Sequence, residues 1–214
     1  FENKPKSLLT RFSGDRVDQW KGNNYMIELK KKKRMEHVKP IEWIYMNNGS
    51  NELRYALGEK GNRMVGCIGI NPSTARPDDL DNTLGSVKRI AEFNGYDGWV
   101  MFNICPQRAT DISEIDYEVN PHAIKENLSI VKRTLVEYNI GTVWLAFGNL
   151  IEYRPYLKMC FLEMFAALKG LDVNWKIIQE PTQKGHPRHP LYKPVKSTFV
   201  DFDIQRYVSE VLKG

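Results

Sequence analysis

The chain has 214 residues, of which 42% are hydrophobic and 27% charged, and this length suits a single domain. The composition excludes collagen-like, disordered and low-complexity proteins, and no apolar run reaches the roughly 18–20 residues that a membrane-spanning helix needs. The formal net charge is +5, but residues 1–40 hold 11 Lys and Arg against 5 Asp and Glu. We therefore predict a basic N-terminal arm over residues 1–40, followed by one domain over residues 41–214.

Short apolar runs alternate with helical patterns from residue 41 to residue 212. Residues 41–46 and 53–57 flank an Asn- and Gly-containing turn and predict a β-hairpin. Continuous apolar runs predict buried strands at residues 64–70, 99–105 and 142–147, and a fourth strand at 174–179. Helical spacing of apolar residues predicts helices over residues 82–93, from Asn120-Pro121 onward, along 153–168 and over 202–212.

Strands that alternate with helices are typical of a mainly parallel sheet with helices on both faces. We predict an α/β fold, with a three-layer αβα arrangement around a central, mainly parallel four-stranded sheet and an added N-terminal β-hairpin. Ligands of such sheets bind at the carboxyl ends of the strands. Unusual polar residues follow all four predicted strands, so we expect the functional site there.

Residues 69–75, Gly-Ile-Asn-Pro-Ser-Thr-Ala, follow the first of these strands. The proline fixes its own φ and favours an extended residue before it, which orients the Asn71 amide at a strand end. Such an amide can accept a proton from water and donate to a substrate oxygen. The alternative interpretation is an ordinary Asn-Pro turn before the next helix.

Residues 100–106, Val-Met-Phe-Asn-Ile-Cys-Pro, end the second strand. A buried Asn is costly unless its amide is satisfied. With one acceptor and two donors, Asn103 can read the edge of a base that has been flipped out of the duplex. It can equally bond to neighbouring backbone.

Residues 185–192, Gly-His-Pro-Arg-His-Pro-Leu-Tyr, follow the fourth strand. Proline breaks both helix and strand pairing, so this stretch is a stiff loop that presents two histidines and an arginine. His186 or His189 can stabilise negative charge on a departing group. A plain basic surface loop and a zinc site are the alternatives, although no third and fourth metal ligands lie nearby in sequence.

Three carboxylates, Asp78, Asp79 and Asp81, lie shortly after Asn71. One of them can orient or activate a water molecule. They can also cap the following helix, where negative charge meets the helix dipole, and Asp81 is the best cap candidate.

Two basic stretches are candidates for contacts with a DNA backbone, because each neutralised phosphate releases counterions. A solvated basic surface is the alternative for the first stretch. The predicted backbone contacts are Lys31, Lys32, Lys33 and Arg34 in the arm, and Lys184, Arg188, Lys193 and Lys196 in the loop.

The three cysteines, Cys67, Cys105 and Cys160, form no CxxC pair and lie in apolar stretches. We interpret them as buried, reduced thiols of a cytoplasmic protein. We expect a monomer that contacts no membrane, binds no metal and needs no cofactor, with water as its second substrate.

Four segments, in this order, resemble motifs of the uracil-DNA glycosylase-like superfamily. Residues 69–72 are similar to the water-positioning motif in the Asn form of its mismatch-specific branch, and 101–104 to the strand whose Asn recognises the base. Residues 143–148 resemble an apolar strand that ends in an aromatic-Gly pair. Residues 186–191 resemble the loop that stabilises the leaving base and enters the duplex. The strings at 71–75 and 185–192 also resemble an uncharacterised bacterial and phage family.

The resemblance implies a uracil-DNA glycosylase-like fold and hydrolysis of the N-glycosidic bond of a flipped-out base, which leaves an abasic site. Asn71 would position the attacking water, Asn103 would bind the base edge, and His186 or His189 would stabilise the anionic base. Because Asn71 replaces the Asp of the most active branch and an amide is a poor base, activation of water would be weak or would fall to Asp79 or Asp81. The remaining substrate contacts would be Ile70, Pro72, Ser73, Thr74, Phe102 and Gly148.

The residues that select uracil and exclude thymine in this superfamily have no recognisable counterpart here. The altered pocket permits a larger base, so we hypothesise that the substrate is a modified base of phage DNA, removed in antiviral defence. Two other classes stay open, a non-catalytic nucleic-acid-binding module of the same fold and a hydrolase of free nucleotides or nucleosides. The basic arm argues against the second of these, because a small substrate needs no basic surface.

Overall fold

The structure is a computed structural model that describes residues 40–213. The predicted basic arm lies outside the described residues, apart from Pro40. Its candidate contacts Lys31, Lys32, Lys33 and Arg34 therefore stay predictions.

Strands and helices alternate along most of the described chain. The strands are β1 (Trp43–Asn47), β2 (Arg54–Glu59), β3 (Met64–Gly69), β4 (Gly98–Asn103), β5 (Thr142–Leu145), β6 (Asn174–Ile178) and β7 (Phe199–Asp201). The helices are α1 (Asn82–Phe93), α2 (Pro121–Glu137), α3 (Pro155–Leu168) and α4 (Ile204–Tyr207), with short 3-10 segments at Ile112–Glu114 and Gly148–Glu152. A π-helical segment, Val208–Leu212, continues α4.

The described strands form one mixed sheet in the order β1-β2-β4-β3-β5-β6-β7. β4, β3, β5 and β6 pair in parallel, whereas the pairs β1-β2, β2-β4 and β6-β7 are antiparallel. The predicted fold class, with a central and mainly parallel four-stranded sheet, is therefore wrong. The sheet has seven strands, and half of their pairings are antiparallel.

The hairpin belongs to the main sheet because β2 covers the edge of β4 that would otherwise stay open. Leu57 pairs with Met101 and Glu59 with Trp99. All β2 residues except Glu59 are buried, which a hairpin outside the sheet would not achieve. At the opposite edge β7, which the sequence pattern did not predict, pairs with β6. Both additions protect strand edges that would otherwise expose unpaired backbone groups.

Apolar side chains of the sheet alternate between two hydrophobic clusters, because successive residues of a strand point to opposite faces. On one face Val65 and Cys67 of β3 pack with Leu84 and Val87 of α1. On the other face Ile68 packs with residues of α2, α3 and the C-terminal helical turns. Helices thus cover both faces of the sheet, so a ligand can reach the sheet only at the ends of its strands.

Local sequence signals fix where two of the helices begin. Asp81 caps α1 by accepting a hydrogen bond from the amide of Leu84 at 2.8 Å. Asn120 caps α2 by accepting from the amides of His122 and Ala123, and Pro121 takes the first helical position. Side chains of this kind satisfy amides that a helix leaves without a partner.

The three cysteines are buried and unpaired, as predicted. Within residues 40–213 each helix is too short or too polar to cross a membrane.

Candidate functional site

The carboxyl ends of β3, β4, β5 and β6 meet at one edge of the sheet because these strands run in parallel. We call the segments that follow them, residues 70–81, 104–120, 146–154 and 179–198, the carboxyl edge. Backbone hydrogen bonds join these segments: the amide of Ile104 donates to the Gly69 carbonyl, and that of Gly148 donates to the Pro187 carbonyl, both at 2.9 Å. Residues that are distant in sequence therefore share this edge.

The Asn71 side chain is held in one orientation. Its Nδ2 donates to the carbonyl of Ala109 at 2.9 Å and to that of Pro72 at 3.2 Å. The amide of Ala109 in turn donates to the Pro72 carbonyl. Both donors of the amide are turned toward backbone, and no partner for its Oδ1 is found within residues 40–213. The Oδ1 is therefore suited to accept a hydrogen bond from water.

The Asn103 side chain is buried without a hydrogen-bond partner. It is 1% exposed, and neither Oδ1 nor Nδ2 finds a partner among the described residues. Its Oδ1 lies over Gly69, where an added Cβ would come within 3.1 Å of it. Unsatisfied buried amides are rare and cost about 1–3 kcal/mol for each missing partner. Such a group is suited to a ligand that supplies the missing acceptor and donor.

His189 lies against the backbone that follows β5. Gly148 has a φ of +63°, and a Cβ added there would approach the His189 Cβ to 3.3 Å. The His189 Nδ1 accepts a hydrogen bond from the amide of Leu191 at 3.2 Å. The proton of the neutral ring therefore resides on Nε2, for which no partner is found within residues 40–213.

Burial holds the pKa of His189 below its usual range, and the charge of Asp81 only partly offsets this effect. The imidazole is thus neutral at pH 7 and presents Nε2–H as a donor. A neutral donor of this kind can meet negative charge that develops on a leaving group.

His186 is placed differently, although it is only three residues away. It is 1% exposed, its Nδ1 lies 2.9 Å from the Tyr207 hydroxyl, and its Nε2 lies 3.3 Å from Glu152 Oε1. Burial lowers its pKa more than Glu152 raises it. His186 thus binds Tyr207 of α4 and lies beside Glu152, although its buried Nε2 forms no hydrogen bond within residues 40–213. We therefore take His189 as the candidate site histidine.

Asp79 and Asp81, two of the carboxylates that follow Asn71, make different contacts. Asp81 caps α1, and its charge acts on both His189 and Arg54. Asp79 forms an exposed ion pair with Arg76 at 3.4 Å. The helix-cap interpretation of Asp81 therefore has direct geometric support, and Asp81 is the one of these two carboxylates whose charge reaches the site histidine.

The other predicted substrate contacts do not all come together. Ile70, Pro72 and Phe102 are buried, and Phe102 packs in the cluster with α2, on the face opposite to that of Met101. Because side chains alternate along a strand, Asn103 shares the face of Met101 and not that of Phe102. Ser73 is half-buried and Thr74 is exposed.

The predicted DNA-backbone residues of the loop differ in what they contact. Lys184 pairs with Glu152. Arg188 donates to the carbonyl of Glu180 at 2.7 Å and to that of Pro181 at 3.3 Å, so it stiffens the loop. Within the described part of the chain, Lys193 and Lys196 form no ion pair and remain available to an anion.

Two arginines that the sequence analysis missed hold the segment after Asn71. Arg54 is 2% exposed and donates to the Ala75 carbonyl at 3.0 Å. Arg108 donates to the Ser73 carbonyl at 2.5 Å and to the hydroxyl of Tyr45 at 2.7 Å. Burial, followed by the charge of Arg108, lowers the pKa of Arg54 to about 10. No sequence signal marks Arg54, since a charged residue at the start of a strand usually faces solvent.

A cavity of about 450 Å³ lies on the α2 side of the carboxyl edge. None of the predicted site residues within residues 40–213 lines it. Its lining includes Glu52, Asp116, Glu118, Arg108, Asn120 and Tyr156. In the same part of the chain, no group of three or more His, Cys, Asp or Glu is arranged to hold a metal ion.

A family model described as a protein of unknown function (DUF1643) matches residues 54–191 of this chain. The match begins with β2 and ends in the loop after β6. It includes Asn71, Asn103, Gly148 and His189, and it omits Lys193 and Lys196. No curated protein matches the sequence. Because the matched region spans more than half of the chain and contains the main candidate residues of the carboxyl edge, the chain belongs to the DUF1643 family.

Proposed function

We propose that this protein is a DNA glycosylase that removes a modified or damaged base by hydrolysing its N-glycosidic bond. The unpartnered amide of Asn103 carries this proposal. A nucleobase edge offers both donors and acceptors, so it can satisfy Oδ1 and Nδ2 together. The resemblance of four segments to the uracil-DNA glycosylase-like superfamily supports the same reaction.

In this reaction the oxygen of water bonds to the sugar C1′ as the bond from C1′ to the base nitrogen breaks. The attacking water loses one proton to solvent and becomes the hydroxyl on C1′, while the electron pair of the broken bond passes to the base, which leaves as an anion and takes up a proton from solvent. Asn71 Oδ1 would accept a hydrogen bond from the attacking water, and His189 Nε2–H would donate to the anionic base. Asp81 would stabilise the positive charge that develops on the sugar.

The loop after β6 supplies a side chain for entry into the duplex. The amide of Lys193 donates to the Pro190 carbonyl at 3.1 Å and closes a turn around Leu191 and Tyr192. Tyr192 is 89% exposed and has a φ of +60°. Glycine is favoured at such a position, so tyrosine is held there against its backbone preference. We propose that its ring fills the space that the flipped base leaves.

We further propose that the substrate base is modified and belongs to phage DNA, and that the protein acts in the cytoplasm as a monomer. The three unpaired cysteines are typical of a reducing compartment.

The test is an assay for abasic sites. The full chain is incubated with duplex and single-stranded DNA that contains uracil, mismatched thymine, or plain or glucosylated hydroxymethylcytosine, and the products are treated with alkali. We expect strand breaks on at least one substrate and none with Asn71→Ala. DNA binding without breaks on any substrate would contradict the proposal and favour a non-catalytic binding module. Cleavage of free nucleosides alone would favour the small-molecule hydrolase.

Replacement of Tyr192 tests whether its side chain enters the duplex without taking part in bond cleavage. Tyr192→Gly should lower excision from duplex DNA by roughly 10- to 100-fold, since filling the vacated space offsets an unstacking cost of a few kcal/mol. Excision from single-stranded DNA should not change. The variant should also unfold at a higher denaturant concentration than the wild type, because glycine relieves the left-handed φ. If excision fell equally on duplex and single-stranded DNA, Tyr192 would maintain the shape of the loop and would not enter the duplex.

A further inference from the structure

A second aromatic feature lies at the carboxyl edge, away from Asn103. Arg154, which precedes α3, is 8% exposed and lies over the faces of two tyrosine rings. Its guanidinium carbon is 4.1 Å from the ring centre of Tyr117 and 4.6 Å from that of Tyr153. We call these three residues the tyrosine platform.

Backbone contacts fix the guanidinium in this position. Arg154 Nη2 donates to the carbonyls of Ser113 and Ile115, both at 3.1 Å. Among the described residues Arg154 forms no ion pair, so its charge is balanced only by carbonyl oxygens and by the faces of the two rings. The arginine therefore supports one face of the Tyr117 ring without burying the ring.

Tyr117 is 83% exposed although it is held from behind. A large exposed ring that is supported on one face is suited to stack on another planar group with its open face, because the support reduces the side-chain entropy lost on binding. We propose that Tyr117 is the stacking surface for an unpaired nucleobase of the bound DNA strand, separate from the base that is excised. This inference rests on the proposed nucleic-acid substrate and assigns a second base site.

The negative charges around the tyrosine platform favour contact with a base of the DNA strand over contact with its phosphates. Asp116 and Glu118 flank Tyr117 in sequence and line the cavity of about 450 Å³, together with Glu52. These carboxylates repel phosphate, so the backbone of the strand must run elsewhere. A neutral base can still approach the exposed ring.

Contacts along one segment connect the tyrosine platform to the candidate site. Ala109 accepts the hydrogen bond of Asn71. The chain segment between β4 and α2 that contains Ala109 also contains Ser113 and Ile115, whose carbonyls bind Arg154, and it contains Tyr117. This one segment therefore includes both the partner of the proposed water-positioning residue and the proposed second base site.

The experiment measures fluorescence anisotropy of the full chain with two labelled strands of equal length. One strand is single-stranded oligothymidylate and the other consists of abasic residues only. Tyr117→Ala should weaken binding to oligothymidylate by roughly 5- to 150-fold and leave binding to the abasic strand unchanged. Tyr117→Trp should retain the affinity, since it keeps an aromatic face. Phe93→Ala, which removes a 44% exposed aromatic ring at the end of α1, is the matched control and should bind like the wild type.

The salt dependence gives a second readout. Because the ring meets a base and not a phosphate, Tyr117→Ala should leave the slope of affinity against salt concentration unchanged. The proposal is overturned if Tyr117→Ala binds oligothymidylate like the wild type, if it loses affinity for both strands equally, or if the wild type binds neither strand. Base-dependent binding through Tyr117 without excision of any base would contradict the glycosylase proposal alone. Excision with base-independent binding would contradict only the tyrosine platform.

Discussion

Replacing Asn103 with alanine is expected to lower base excision by about 10²- to 10⁴-fold without destabilising the protein. The rate falls because a site that hydrogen-bonds its substrate loses about 1–3 kcal/mol for each bond removed, and Asn103 offers at least two. The free energy of unfolding should stay within about 1 kcal/mol of the wild type or rise, since the change removes two buried polar atoms that have no partner in the part of the chain that the structure describes. Single-turnover excision and urea unfolding measure the two effects.

Asn127 provides a matched control for this prediction. It is also fully buried, and its Oδ1 likewise has no partner among the described residues, but its Nδ2 donates to the backbone carbonyl of Asn103 at 2.8 Å. Asn127→Ala leaves that carbonyl without its partner and should cost about 1–3 kcal/mol of stability. If Asn103→Ala instead lost as much stability as Asn127→Ala and retained excision, the Asn103 amide would be structural and the proposed base contact would be wrong.

The elements that local sequence signals define were predicted well. The helix predicted at residues 82–93 has these bounds in the structure, because Asp81 caps its first turn and its apolar residues share one face. Asn120 and Pro121 mark the start of α2 for the same kind of reason. Both signals act within a few residues of the helix end, so sequence alone reveals them.

The sheet was predicted poorly because its composition depends on distant pairings. The contact between Leu57 of β2 and Met101 of β4 joins residues that no local pattern connects. β7 has only three residues, and two of them, Val200 and Asp201, are exposed, so it lacks the apolar run of a buried strand. Antiparallel edge strands of this kind are recognised from the neighbour that they cover rather than from their own sequence.

The candidate site shows the same division between local and distant information. The rule that ligands bind at the carboxyl ends of parallel strands drew attention to Asn71, Asn103 and the loop after β6. The difference between His186 and His189 arises from Tyr207 and Glu152, which approach only one of the two rings. The role of Arg54 depends on the Ala75 carbonyl, 21 residues further along the chain.

His189→Ala is expected to lower excision by about 10²- to 10³-fold, the usual effect of removing one donor that stabilises developing negative charge. The ring donates through Nε2–H because Nδ1 already accepts the amide of Leu191. His189→Gln retains an N–H donor and should recover part of the rate. His186→Ala is the contrasting variant: losing the contact with the Tyr207 hydroxyl should cost about 1–3 kcal/mol of stability but change the rate of the folded protein by far less.

The pH dependence decides whether His189 donates as a neutral ring. Burial holds its pKa below the ordinary value of about 6.5, so the ring neither gains nor loses a proton between about pH 7 and pH 9. The ratio of the wild-type rate to the His189→Ala rate should therefore be constant across this range. A ratio that falls steadily as the pH rises would mean that a protonated His189 acts on the leaving base, because the charged form disappears with increasing pH. The neutral-donor assignment would then be wrong, and the charge of Asp81 would have to outweigh burial at this ring.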